Sequence, residues 1–172
     1  MFMAVPKADH YRWVGRESEA DGAALSKVRK APVAAAWSPV NVSWLSETAN
    51  RPSCDFPIFH PVVRCISQRA AEVLEPFIQG SLELLPINGL GGEYVGIHCI
   101  RWAEALVPQA LPRSTSIHST LYTPRLVLSA VAGLEIFGVE PMVTKLFVSP
   151  AVKAAVEAAG LTGLDFYPVE LA

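Results

Sequence analysis

The stretch from Thr144 to Val169, TKLFVSPAVKAAVEAAGLTGLDFYPV, leaves little conformational choice. Leu146, Phe147 and Val148 form a short apolar run that ends in a β-branched residue and suits a strand. Ser149 followed by Pro150 reads as a helix start. The hydroxyl caps the first turn, and proline stands at the first helical position, where no N–H is needed. Val152, Ala155, Val156 and Ala159 recur at i, i+3, i+4 and i+7, one face of a helix. Gly160 sits where a left-handed C-cap belongs. Leu164, Phe166 and Pro168 alternate with Asp165, Tyr167 and Val169, a strand whose edge or end Pro168 marks. The unit is strand, helix, turn, strand. It carries no reactive constellation, so it sets a fold class and no activity.

A second helix is expected from Gln68 to Glu75, opened by Ser67 and ended by Gly80. Ala70, Val73, Leu74, Phe77 and Ile78 share one face, and Pro76 kinks or tightens the last turn. Strands are expected near 82–87, 93–100, 125–129, 134–139, 144–149 and 164–169. The segments beginning near 125, 135 and 145 read as a meander. Tyr11–Val14 and Val40–Trp44 suggest short strands, Arg16–Lys30 a loop or weak helix, Asn88–Gly92 a turn or mobile loop, and Arg101–Leu106 a short helix. Pro32, Pro39, Pro52, Pro57 and Pro61 punctuate the first third, and Pro52–Pro61 has no regular pattern. The expected fold is α+β. A mainly antiparallel sheet carries two principal helices packed on it. A single domain spans 1–172, with an irregular proline-rich N-terminal arm (1–61) and an α+β core (62–172).

Hydrophobic residues make up 51% of the 172 and charged residues only 17%, below the usual quarter. The longest apolar runs are strand-length, short of the roughly 20 residues a spanning helix needs. The apolar excess must fill a core or cover a partner surface. Residues 1–69 hold nine Lys/Arg against six Asp/Glu, and residues 70–172 five against ten. The chain is basic first and acidic after, without the dense Lys/Arg stripe of a nucleic-acid binder. Cys54, Cys65 and Cys99 are odd in number and show no C-x-x-C spacing, which points to a reducing compartment.

Reactive sets are hard to assemble. His98 and Cys99 are neighbours on a strand and point to opposite faces, so they cannot form a dyad. His60, His98 and His118 with Cys65 lack zinc-ligand spacing. Cys65 or Cys99 as a nucleophile would need a positioned base. Asn88–Gly92 is no phosphate loop, because no Lys-Ser/Thr follows and the next element is a strand. No metal and no cofactor is expected.

Five short motifs occur in one order: D-F-P (Asp55–Pro57), I-S-x-R-A-A-E-V-L (Ile66–Leu74), E-L-L-P (Glu83–Pro86), L-F-V-S (Leu146–Ser149) and G-L-T-G-L-D-F-Y-P-V (Gly160–Val169). In this order and in its G-L-T-G-x-x-F ending, the chain over roughly residues 37–170 resembles a bacterial family of polymorphic-toxin immunity proteins abundant in myxobacteria, formerly described as a domain of unknown function. The resemblance implies a cytoplasmic α+β protein that binds a cognate toxin and blocks it stoichiometrically, with no catalytic residues of its own. The chain departs from that pattern in its proline-rich first third and at Pro76.

A toxin that is a nuclease, encoded by a neighbouring gene, would hold a polyanion in a basic cleft. The complementary surface would be acidic. Glu72, Glu75, Glu93 and Glu104 are the candidate toxin-binding residues, with Trp102 as an aromatic anchor. Direct nucleic-acid binding and membrane association are not expected. The alternative is a small cytoplasmic enzyme of unknown reaction. It is disfavoured because no nucleophile, base and orienting group fall at recognisable spacing.

Overall fold

The unit at 144–169 forms the expected elements in the computed structural model, which describes residues 1–107 and 124–172. In chain order the elements are β1 (Phe2–Pro6), β2 (Val14–Arg16), α1 (Glu19–Lys27), β3 (Val40–Trp44), β4 (Val63–Ser67), α2 (Gln68–Ile78), β5 (Leu82–Leu85), β6 (Ile87–Gly89), β7 (Tyr94–Cys99), β8 (Trp102–Ala103), β9 (Arg125–Leu126), α3 (Leu128–Val131), β10 (Ile136–Val139), β11 (Leu146–Val148), α4 (Pro150–Ala158), β12 (Leu164–Pro168) and β13 (Glu170–Leu171). The fold is α+β with mixed, mostly antiparallel sheets.

Local chemistry explains the helix ends. The Ser149 hydroxyl accepts from Val152 N at 3.2 Å, and Pro150 opens α4. At the other end Gly160 lies at φ +62°, and the N–H of Leu161 reaches back to the carbonyl of Val156 at 3.1 Å. This closes the helix in the left-handed manner. The nearest atom to a side chain added at Gly160 would be an Arg69 nitrogen at 3.9 Å, so crowding is minor there. Gly160→Val is therefore expected to cost on the order of 1–2 kcal/mol through backbone strain alone. An unchanged denaturation midpoint would contradict that.

One sheet has the order β12-β1-β11-β10-β8, antiparallel except where β8 runs parallel to β10. Its side chains alternate between two cores. Ala4, Ile136, Leu146 and Val148 face one, shared with Ile66, Ile97 and the apolar stripes of α2 and α4. Met3, Phe137, Val139 and Phe147 face the other, with Leu126, Val131, Met142 and Val169. A sheet covered on both faces needs apolar residues at every position, which is why LFV and IFGV show no polar alternation. A second sheet, β4-β7-β5, is antiparallel, and a third, β2-β3-β6, pairs β3 with β6 in parallel. Val14, Val40, Val42 and Leu25 pack there against Val63, Cys65 and Leu85. Among the described residues, Leu84, Leu128 and Tyr167 are the large apolar side chains left exposed. The apolar excess of the described chain thus goes mainly into these cores. No helix among the described residues is long and apolar enough to cross a membrane.

Several expectations are corrected. Residues 1–61 hold β1, β2, α1 and β3 rather than an irregular arm throughout. β1 is interior to the five-stranded sheet, where Ala4 stands opposite both Leu146 and Phe166. Arg16–Lys30, expected as a loop or weak helix, takes the helical alternative in α1. Its Ser18 hydroxyl accepts from Asp21 N at 3.1 Å, and Asp21 in turn accepts from Asn41 N at 2.9 Å. The six expected strands do not share one sheet. The segment 82–87 breaks at Pro86 into β5 and β6, which join different sheets. The segment 125–129 ends as a strand at Leu126, turns into α3, and pairs with β13 rather than joining a meander. Arg101–Leu106 contains β8 instead of a helix. Asn88–Gly92 holds the end of β6 and a short 3-10 turn at Leu90–Gly92. α2 runs through Pro76 to Ile78, because Phe77 and Ile78 pack on the core and outweigh one missing N–H near the helix end.

Candidate functional site

Three of the five motifs that carry the resemblance meet at one buried carboxylate. Asp55 accepts from the Ser67 hydroxyl at 2.7 Å through one oxygen. Its other oxygen accepts from Thr162 N at 2.8 Å and from the Thr162 hydroxyl at 3.1 Å. The backbone repeats the links: Phe56 N donates to Thr162 O at 3.1 Å, and Ser67 N to Asp55 O at 2.8 Å. Ser67 also caps α2, accepting from Ala70 N at 3.1 Å. Arg69 of the same motif donates to the Ala159 carbonyl at the end of α4. Gly163 lies at φ +104°, and a Cβ there would sit 2.8 Å from Cys54 Sγ and 2.9 Å from Phe56 O. Three motif pieces, D-F-P, I-S-x-R and G-L-T-G, therefore form one polar hub joining the start of α2 to the turn after α4. Sequence alone missed this hub, since its partners lie 12 and 107 residues apart.

The expected toxin-binding residues are spread along α2. Glu72 and Glu75 are exposed on the helix. Glu93 is exposed, and its carbonyl accepts from Gln68 N at 2.8 Å, which places it at the N-terminal end of α2. Trp102 lies on β8, paired with β10, and Glu104 follows it; the preceding Ile100 N and Arg101 N donate to Ser81 O, just past the end of α2. At 1.5 Å per residue, the 11 residues of α2 are roughly 16 Å long. Trp102 is half-buried and already engaged. Its ring lies against Gly138, Lys30 Nζ stands 5.5 Å from its centre, and its indole N–H donates to Cys99 O at 3.0 Å. Lys30 also pairs with Glu140, and Glu140 and Glu104 line one shallow depression. Glu140 is a neighbour that the sequence pattern did not single out.

A sheltered carboxylate–histidine pair lies elsewhere. Glu83 and His98 face each other across the β5–β7 ladder, with Glu83 Oε2 3.0 Å from His98 Nδ1. His98 Nε2 meets the Arg29 carbonyl. The same carboxylate accepts from Val33 N at 2.8 Å and Ala34 N at 3.0 Å. Burial alone would raise the Glu83 pKa, but the donors from Val33, Ala34 and His98 outweigh it and hold it below the usual value. The pair thus fastens residues 29–34 onto the second sheet.

The remaining candidates are separate. His98 and Cys99 point to opposite faces, and Cys99 joins the core between the sheets and helices. His60 Nδ1 accepts from Val62 N and Val63 N at 3.3 and 3.4 Å. His118 lies outside the described residues. Cys54, Cys65 and Cys99 are free and buried. Burial pushes the Cys54 thiol up to about 11 and the Cys65 thiol to about 12, far from the thiolate range, and raises Cys99 as well. Among the described residues, no group of three or more His, Cys, Asp or Glu is placed to hold a metal.

The sequence matches no protein-family model and no curated protein.

Proposed function

We propose that this chain is an immunity protein of the polymorphic-toxin type. It acts in the cytoplasm and neutralises a cognate toxin by stoichiometric binding. The observation that supports this reading is the Asp55 hub. The motif pieces of the resemblance could each arise by chance as a cap or a turn. Three of them instead hydrogen-bond to one another across 107 residues, as parts of one inherited unit would. Glu83 and Ser149, from the other two motifs, hold the contact to His98 and the cap of α4.

On this reading the motif residues build the scaffold, and the exposed side of α2 with its two ends meets the toxin. Glu72, Glu75, Glu93 and Glu104 present carboxylates to a basic cleft. Trp102 acts as an anchor once Lys30 is drawn aside. Charge complementarity of this kind mainly speeds association and weakens with salt.

Reversing Glu72, Glu75, Glu93 and Glu104 together to lysine is expected to slow association with the toxin about tenfold or more at low salt. The fold should stay intact, since all four are exposed. Titration against the toxin at two salt concentrations tests this. Unchanged affinity and association rate would move the interface to the proline-punctuated segment before Pro61.

A further inference from the structure

A cavity of about 350 Å³ lies inside the core shared by the five-stranded sheet, the β4-β7-β5 sheet, α2 and α4. Ile66, Leu74, Ile97, Ile136, Val152 and Phe166 are among its apolar walls. Its volume falls in the range of small-molecule sites, which are mostly apolar with a few placed polar groups. Its lining holds no carboxylate, and its basic groups are His60, Arg64 and Lys145. Arg64 donates to the Thr144 carbonyl at 2.8 Å, so its guanidinium lies against the backbone just before Lys145. Lys145 is only 8% exposed. No ion pair joins Arg64 or Lys145 to a carboxylate among the described residues. Residues 108–123 contain no Asp or Glu that could supply one.

Two sheltered cations without a counter-ion are unfavourable in a folded protein. Burial, and then the nearby Arg64, push the Lys145 ammonium below its usual value, and burial does the same to Arg64. A ligand with an anionic head and an apolar body would relieve both deficits. The head would pair with Arg64 and Lys145, and the body would fill space that the side chains leave empty. Guanidinium favours carboxylate through two parallel hydrogen bonds. At ~30 Å³ per water-sized group, the cavity holds about a dozen non-hydrogen atoms.

We infer that this cavity is a binding site for an amphipathic monocarboxylate, with its alkyl chain between the sheets and helices and its carboxylate on Arg64 and Lys145. Decanoate is the probe, titrated calorimetrically into the full chain below its micelle concentration, with decanol as the uncharged control. The expected result is saturable one-to-one binding of decanoate, about tenfold or more tighter than decanol, as charge-assisted bonds require. The Arg64→Met/Lys145→Met double variant, checked for fold by circular dichroism, should lose that preference and keep the weaker binding of decanol. Absence of saturable binding to the wild-type chain overturns the proposal, as does equal affinity for the two probes. Neither of those results depends on a variant folding. A preference for decanoate that survives in the folded double variant also overturns it.

Discussion

Asp55→Ala is expected to lower the unfolding free energy by about 3–5 kcal/mol, since a hydrogen bond to a charged group contributes about 1.5–3 kcal/mol and this carboxylate accepts three. The substitution removes few apolar contacts, so lost packing is a minor part. What remains is a set of sheltered donors, the Thr162 N–H and the Ser67 and Thr162 hydroxyls, aimed at an empty position. Full additivity is not expected, because Ser67 keeps its cap on Ala70 N and Phe56 N keeps its bond to Thr162 O. Asp55→Asn should cost less, since one amide oxygen can still accept from Thr162 or Ser67. Urea denaturation of both variants checks this. An alanine variant within about 0.5 kcal/mol of wild type, the range of ordinary surface changes, would mean that the hub does not hold the motifs together.

Glu83→Ala should be comparably damaging, at about 3–5 kcal/mol, since a hydrogen bond to a charged group contributes about 1.5–3 kcal/mol and this carboxylate meets Val33 N, Ala34 N and His98. It strands the Val33 N–H and leaves buried His98 without its carboxylate. It also releases residues 29–34 from the second sheet. The pH dependence has a definite sign. The folded pKa of Glu83 is depressed, so its stabilising contribution is complete above the unfolded value of about 4.3. That contribution is lost as pH falls through the folded value. The stability gap between wild type and Glu83→Gln should therefore shrink with acidification below about pH 4.3. A gap independent of pH from 7 to 3 would show that the ionised carboxylate contributes nothing.

Elements whose signals are local were legible in the sequence. Ser149-Pro150, the stripe through Val152 and Val156, and Gly160 define α4 without reference to the rest of the chain. α2 was legible for the same reason, apart from its end, where tertiary packing of Phe77 and Ile78 prevailed over Pro76. Strand partners were not legible. Phe2–Pro6 has no flanking turn signal, and its place depends on β11 and β12, more than 140 residues away. LFV and IFGV are buried on both faces, so their patterns carry no sidedness from which to choose a neighbour.

The sites follow the same division. Glu72 and Glu75 could be placed on an exposed helical face from spacing alone. Glu83 and His98 would have been found had the β5–β7 register been assigned, because the two residues stand directly opposite. Asp55 with Thr162, and Arg64 with Lys145, join distant segments and leave no short-range trace. A carboxylate between Cys54 and Phe56 and a lysine beside an apolar strand were the visible hints. Trp102 shows the converse. Its residue type suggested an anchor, and only the packing shows that Gly138 and Lys30 already occupy its faces.

The most direct measurement of the proposed immunity function is an inhibition titration of a toxin-like domain encoded by a neighbouring gene, with the purified chain added in rising proportion. Stoichiometric immunity requires toxin activity to fall linearly and vanish at one chain per toxin, and the two proteins to co-elute as a one-to-one complex. Full toxin activity in the presence of several equivalents, with the proteins eluting separately, would contradict the assignment.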